Sequence, residues 1–184
     1  VLFDKRLGAF MSTATPSEVP STSALQHLLP GAYFFDAYRM EVPDPTHTAL
    51  AYFLKTAART PAWVNGLMAL RNRVVAWVGL KNLGSISALD PYKQERDYLP
   101  GDRVGIFTLR SNQPDEVVVF DRDKHLEVNL SVCRLPRAVG QPQIIVVSTV
   151  VHVHNLLGRL YMLPVTPLHR RIVPAVMARL AVVD

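Results

Sequence analysis

Apolar and polar residues follow two different periods along this chain. From Asp102 onward the period is two, which predicts half-buried β-strands. Four stretches carry it: Arg103 to Arg110, Glu116 to Asp121, His125 to Leu135 and Gln143 to His154. The turn-rich connectors between them, 111–114, 121–124 and 136–142, are short and predict antiparallel neighbours. The third stretch alternates most clearly. Leu126, Val128, Leu130 and Val132 point one way and Glu127, Asn129, Ser131 and Cys133 the other, so one sheet face is expected to be covered and the other wet. Upstream, the aromatic-rich run from Ala32 to Val42 follows a Pro30-Gly31 turn and reads as a first strand, five in all.

Two segments show helical spacing between that first strand and the rest. Asp44-Pro45 is a start signal for a helix from Thr46 to Arg59 with Leu50, Phe53, Leu54 and Ala57 on its inner side. Thr60-Pro61 repeats the signal for a helix from Ala62 to Val78, with Trp63, Leu67, Leu70, Val74 and Trp77 on one face and Gly79 and Gly84 as stops. The stretch from Ser85 to Gly101 reads as a long loop. Residues Asn155 to Val183 return to helical spacing, with Asn155 as cap. Pro164 and Pro167 predict a short helix, a break and a long helix whose stripe is Leu168, Ile172, Val176 and Leu180, kinked at Pro174. The expected class is α+β: a curved antiparallel sheet packed on a long C-terminal helix, with two helices after the first strand and an apolar space between sheet and helix. Residues 1–28, rich in Ser, Thr and Pro from Ser12 to Ser23, are expected to be a flexible N-terminal arm, and 29–184 a single domain.

Composition narrows the function classes. Of 184 residues, 49% are apolar and 19% charged, a balance that supports a packed core. No apolar run reaches the roughly 18 residues of a membrane span. The net charge of +5 is dispersed without a basic run, which speaks against nucleic acid as a partner. A single cysteine, Cys133, excludes an intrachain disulfide and a Cys-rich zinc site and fits a reducing cytoplasm, with no secretory signal at the start. The sequence opens on Val1, and Met11 is a candidate natural start.

Several runs carry a family resemblance. They are Val150-Val151-His152-Val153-His154-Asn155, Leu157-Gly158-Arg159-Leu160-Tyr161-Met162-Leu163 and Pro167-Leu168-His169-Arg170-Arg171-Ile172-Val173, with Pro30-Gly31-Ala32-Tyr33-Phe34 and Gly101-Asp102-Arg103-Val104-Gly105 upstream. Together, over Leu29 to Leu180, they resemble a bacterial family of unknown function. Its domain stands alone or behind the nucleotide-binding domain of epimerase-like proteins, and the family is grouped with the START/polyketide-cyclase helix-grip superfamily. The resemblance implies a sheet gripping a C-terminal helix around a pocket for a lipid, sterol or polyketide-like molecule. It brings no catalytic residues.

The candidate chemistry centres on histidine. His152 and His154 share one face of their strand, a spacing that metal sites can use, with His169 as a third candidate ligand. Two ligands do not make a site, and the favoured reading is hydrogen-bonded, pocket-lining histidines with no metal. Arg71 and Arg159 are candidates for an anion at the pocket mouth, against simple snorkelling to water; Tyr161 is a ligand-binding candidate at the junction of sheet and final helix, with packing and a hydrogen-bonded hydroxyl as the favoured reading. Tyr33, Phe34, Phe35 and Tyr38 alternate in parity, so half of them can line one cavity. Asp102 is explained by its Pro-Gly-Asp turn and Cys133 carries no sign of activation. No phosphate loop, dinucleotide fingerprint or G-x-S-x-G elbow occurs. The expected function is binding of an apolar or amphipathic small molecule without a cofactor. The alternatives are a cyclase- or lyase-type enzyme using the pocket histidines, and a protein–protein interaction module, including a homodimer through the N-terminal arm.

Overall fold

The structure is a computed structural model that describes residues 13–43, 45–77 and 85–180, and the side chains of all of these except 74–77. Seven strands are β1 (Thr15–Pro16), β2 (Phe34–Val42), β3 (Arg103–Val104), β4 (Phe107–Asn112), β5 (Glu116–Arg122), β6 (Leu126–Arg134) and β7 (Gln143–Val153). Three helices are α1 (Ala49–Ala58), α2 (Ala62–Trp77) and α3 (Leu156–Met177). The strands form one open, curved, antiparallel sheet in the order β1-β2-β7-β6-β5-β4-β3. The chain is thus α+β with a long C-terminal helix and two helices after the first long strand, as the periods predict. Among the described residues no helix is long and apolar enough to cross a membrane.

Register divides the sheet into two faces. On the inner face Tyr38 opposes Val147, Met40 opposes Ile145, and Val132 opposes Val147 and Val117. These side chains meet Leu50 and Phe53 of α1 and Val173 and Met177 of α3 in the main core. Thr48 caps α1 by accepting from the Ala51 amide at 3.1 Å, so the helix starts at Ala49 and not at Thr46; Asp44, the expected cap, lies outside the described residues. Val64 and not Trp63 is the buried residue in the first turn of α2; of the expected apolar stripe Trp63 is 47% and Leu70 58% exposed, Leu67 is half-buried, and the side chains of Val74 and Trp77 lie outside those described. The expected stops Gly79 and Gly84 lie outside the described residues.

Two strands were hidden from the sequence reading. The single strand expected at Arg103 to Arg110 is a hairpin, β3 and β4, folded at Gly105. That residue has a φ of +59°, and a Cβ there would stand 2.4 Å from the Ile86 carbonyl oxygen. The other is β1, in the expected flexible arm. From Thr15 to Leu28 the chain packs on the sheet: β1 pairs with β2 at the sheet edge, and the chain then crosses the outer face, burying Val19 and Leu25 against Ala37, Val118, Val146 and Val150. The outer face is therefore not wet, and Asn129, Ser131 and Ser148 are fully buried beneath this strap.

Glu116 pins the strap. Its carboxylate accepts from the Ser23 hydroxyl at 2.6 Å and the Ala24 amide at 2.9 Å, and on the sheet from the Ser131 hydroxyl at 2.6 Å. His152 holds the far end, donating from Nε2 to the Leu28 carbonyl at 2.9 Å.

Helix α3 runs unbroken through Pro164, Pro167 and Pro174, where a break was expected. A proline removes one N–H and frees the carbonyl four residues back. Pro174 frees the carbonyl of Arg170, and the Tyr38 hydroxyl takes it at 3.5 Å. Pro164 and Pro167 lie on the exposed side of the helix. Within α3 the buried stripe is Gly158, Met162, Val173 and Met177; of the expected i+4 ladder Leu180 is buried in the main core just past the helix, whereas Leu168 is 39% exposed. Successive i+4 steps drift about 40° around the axis, so a straight ladder leaves the contact line that mixed steps of three and four keep.

Removing the Glu116 carboxylate (Glu116→Ala) should cost roughly 2–3 kcal/mol, the value of hydrogen bonds to a charged acceptor. Urea denaturation and faster amide exchange at residues 17–28 read this out. Beneath the same strap, burial, then the Glu116 charge, push the Cys133 thiol up to about 11 against a smaller opposing hydrogen bond from Thr22. At pH 8 its thiolate fraction should be about a hundredfold below that of an ordinary thiol. A disulfide reagent should therefore label Cys133 slowly in the native protein and much faster in the Glu116→Ala variant.

Candidate functional site

The inner face carries a polar cluster where β2 and β7 meet α3. Asp36 on β2 lies opposite Thr149 on β7, both with inward parity. His169 stands on the buried side of α3 directly over them. Its Nδ1 is 3.0 Å from Asp36 Oδ2 and its Nε2 is 3.4 Å from Thr149 Oγ1. Donation from Nδ1–H to the carboxylate makes Nε2 the acceptor for the threonine hydroxyl. The Phe34 ring meets the imidazole edge-on at 5.6 Å, and Phe34 packs with Val151 and Met162. The pair is partly shielded, with side-chain exposures of 21% for His169 and 13% for Asp36. Asp36 Oδ1 is buried and has no hydrogen-bond partner among the described residues.

Tyr38 is the next inward residue on β2. Burial, then the Asp36 charge, raise its hydroxyl above the usual tyrosine range, opposed in part by Arg170. The phenol is thus a neutral donor at any physiological pH. Toward the centre of the sheet, Val128 and Leu130 face inward on β6 but are only half-buried, although β5 and β7 flank them. Beyond them Asp121 is buried at the end of β5, 3.9 Å from Arg103.

Of the six candidate residues, only His169 bonds to Asp36 and Thr149, while Tyr161 packs against the neighbouring cluster of Phe34, Val151 and Met162. Arg71 of α2 and Tyr161 of α3 find each other: the guanidinium Nε donates to the Tyr161 oxygen at 3.2 Å and its carbon stands 5.5 Å from the ring centre. Arg159 is exposed on α3. His152 belongs to the outer face and holds the strap, and His154 is exposed past the end of β7. The sheet separates His152 from His169, so the three histidines do not converge. No group of three His, Cys, Asp or Glu suited to a metal occurs among the described residues. Phe34 and Tyr38 point inward, while Tyr33 and Phe35 are 45% and 56% exposed.

Sequence reasoning passed over Asp36, Thr149 and His125. Asp36 had a readable signal, a lone carboxylate at inward parity among Phe34, Tyr38, Met40 and Val42. His125 sits under the start of α3, with Nδ1 2.9–3.1 Å from the Asn155 carboxamide. Asn155 in turn caps α3, accepting from the Gly158 amide at 3.1 Å. A separate open cleft of about 500 Å³ lies at the start of α1, lined by Thr48, Gln94, Glu95, Arg96, Asn112 and Pro114. Its polar groups are engaged locally: Thr48 donates to Glu95, and Asn112 Nδ2 donates to the Tyr98 carbonyl at 3.3 Å.

Replacing His169 by Ala strands a shielded carboxylate, so His169→Ala should destabilise the fold by roughly 2–4 kcal/mol. Asp36→Asn/His169→Ala should recover part of that loss, leaving a coupling of about 1–2 kcal/mol in a double-mutant cycle read by urea denaturation.

No curated protein and no solved structure matches the chain. Residues 28–176, from the end of the strap through α3, match the model of a family described as "Protein of unknown function (DUF2867)". On a match that spans most of its length, the chain belongs to the DUF2867 family of proteins of unknown function.

Proposed function

We propose that this protein binds an apolar or amphipathic small molecule between the inner sheet face and α3, in the manner of the START/polyketide-cyclase helix-grip superfamily. One observation carries the reading: the Asp36–His169 pair is set in an apolar wall beside Val128 and Leu130, which are half-buried where strands flank them on both sides. A carboxylate with a buried, unpartnered oxygen is a feature that packing alone does not call for. In this reading Val128 and Leu130 form the apolar floor. His169, Asp36 and Tyr38 orient the ligand's polar end, and Arg71 and Tyr161 stand at the rim. His152, His154 and Arg159 take no part.

A second reading, acid–base catalysis of cyclase or lyase type, draws on the same geometry. Asp36 fixes the His169 ring through Nδ1 and leaves Nε2 as the atom able to exchange a proton. Chemical change over time in a molecule retained through purification would favour this reading over simple binding.

Titration with the apolar fluorophore 1-anilinonaphthalene-8-sulfonate tests the binding site. The wild-type chain should take it up saturably, and Leu130→Trp, which fills the floor, should weaken uptake by at least about tenfold, or 1.4 kcal/mol. Native mass spectrometry should show a retained small molecule in the wild type that the variant lacks. Equal uptake by both proteins, with nothing retained, would remove the proposed site.

A further inference from the structure

Helix α3 has two apolar sides, and the sheet covers one. Met162, Val173 and Met177 rest on the sheet. On the opposite side Leu156, Leu160 and Leu163 are 70%, 54% and 64% exposed. These three lie at i, i+4 and i+7, and the exposed Pro164 and Pro167 share their side, so they form one ridge extending ~17 Å along the axis. A ridge of this kind on a protein surface marks a contact site.

The charges beside the ridge select the contact. Apart from His169 on the buried side, the ionisable groups of α3 outside its tyrosine are Arg159, Arg170 and Arg171, and the helix has no carboxylate. By helical phase Arg159 and Arg170 flank the ridge on one side and Arg171 on the other. All three are exposed, and none has an ion-pair partner among the described residues.

We propose that the outer side of α3 lies on an anionic lipid surface. The leucines enter the boundary between headgroups and acyl chains, while the guanidiniums, on long apolar stems, reach back to the lipid phosphates. The ridge itself offers no hydrogen-bonding side chain that would specify a protein partner, and a bilayer interface asks for none. This site is on the far side of α3 from the proposed ligand crevice, so either can fail without the other.

Vesicle co-sedimentation of the full chain tests it. The protein should pellet with mixed phosphatidylcholine–phosphatidylglycerol vesicles, much less with phosphatidylcholine alone, and progressively less as salt rises. The triple change R159Q/R170Q/R171Q should weaken partitioning by on the order of a hundredfold. L156S/L160S/L163S should abolish it, with the thermal midpoint of each variant checked against wild type. If a variant fails to fold, the wild-type comparison of vesicle compositions and salt still decides the matter. Pelleting that is absent, or equal on neutral and anionic vesicles, overturns the proposal. So does a concentration-dependent dimer in analytical ultracentrifugation that L160D dissociates, which would assign the ridge to a second copy of the chain.

Discussion

One imidazole ties the long C-terminal helix to two strands at once. His169 meets Asp36 on β2 and Thr149 on β7 from the buried side of α3. Apolar contacts hold the rest of the helix to the sheet, and apolar contact does not fix rotation about the axis or sliding along it. A hydrogen-bonded pair does, because a displacement of an ångström or two breaks it and strands a shielded carboxylate. The three prolines of α3 make this more pressing, since each deletes an internal hydrogen bond. The Tyr38 hydroxyl, which takes the carbonyl freed by Pro174, is a second fastening on the same strand as Asp36.

The other face solves a different problem. Asn129, Ser131 and Ser148 have the composition of a solvent-facing sheet, yet all three are fully buried. The strap from Ser17 to Leu28 covers them and is held in its middle and at its far end by polar groups of the sheet: Glu116 through Ser23 and Ala24, and His152 through Leu28. Beneath it Asn129 Oδ1 and Ser148 Oγ have no hydrogen-bond partner among the described residues. The strap's attachment thus rests on a few charge-assisted hydrogen bonds and two buried apolar side chains, a much smaller contact than α1 and α3 make on the inner face.

Much of this architecture was legible in the residues. The alternation of Leu126 to Cys133 gave the parity of β6, the Asn155 cap marked the start of α3, and the short connectors implied antiparallel neighbours. Three things were not legible. Parity tells which residues share a face but not which face receives a helix, so His152 and His154 were grouped with His169 although the sheet divides them. A Ser, Thr and Pro-rich segment has the composition of a flexible arm, and the groups it docks on, among them Glu116, His152 and the edge of β2, are remote in sequence. The prolines of α3 suggested a break because their lost hydrogen bonds could be counted from sequence, whereas the compensating Tyr38 could not. Of the site, His169 was visible as a histidine beside an apolar stripe. Asp36 was visible only in retrospect, as the carboxylate at an inward position of an otherwise apolar strand.

The tautomer of His169 tests the central claim most directly, because it reports the anchor itself. In long-range proton–nitrogen NMR spectra of the labelled protein at neutral pH, the account predicts an imidazole whose slowly exchanging proton is on Nδ1, facing Asp36, and whose Nε2 nitrogen shifts when Thr149 is changed to Val. A ring protonated on Nε2 alone, or one averaging freely between tautomers as in an unstructured peptide, would contradict it.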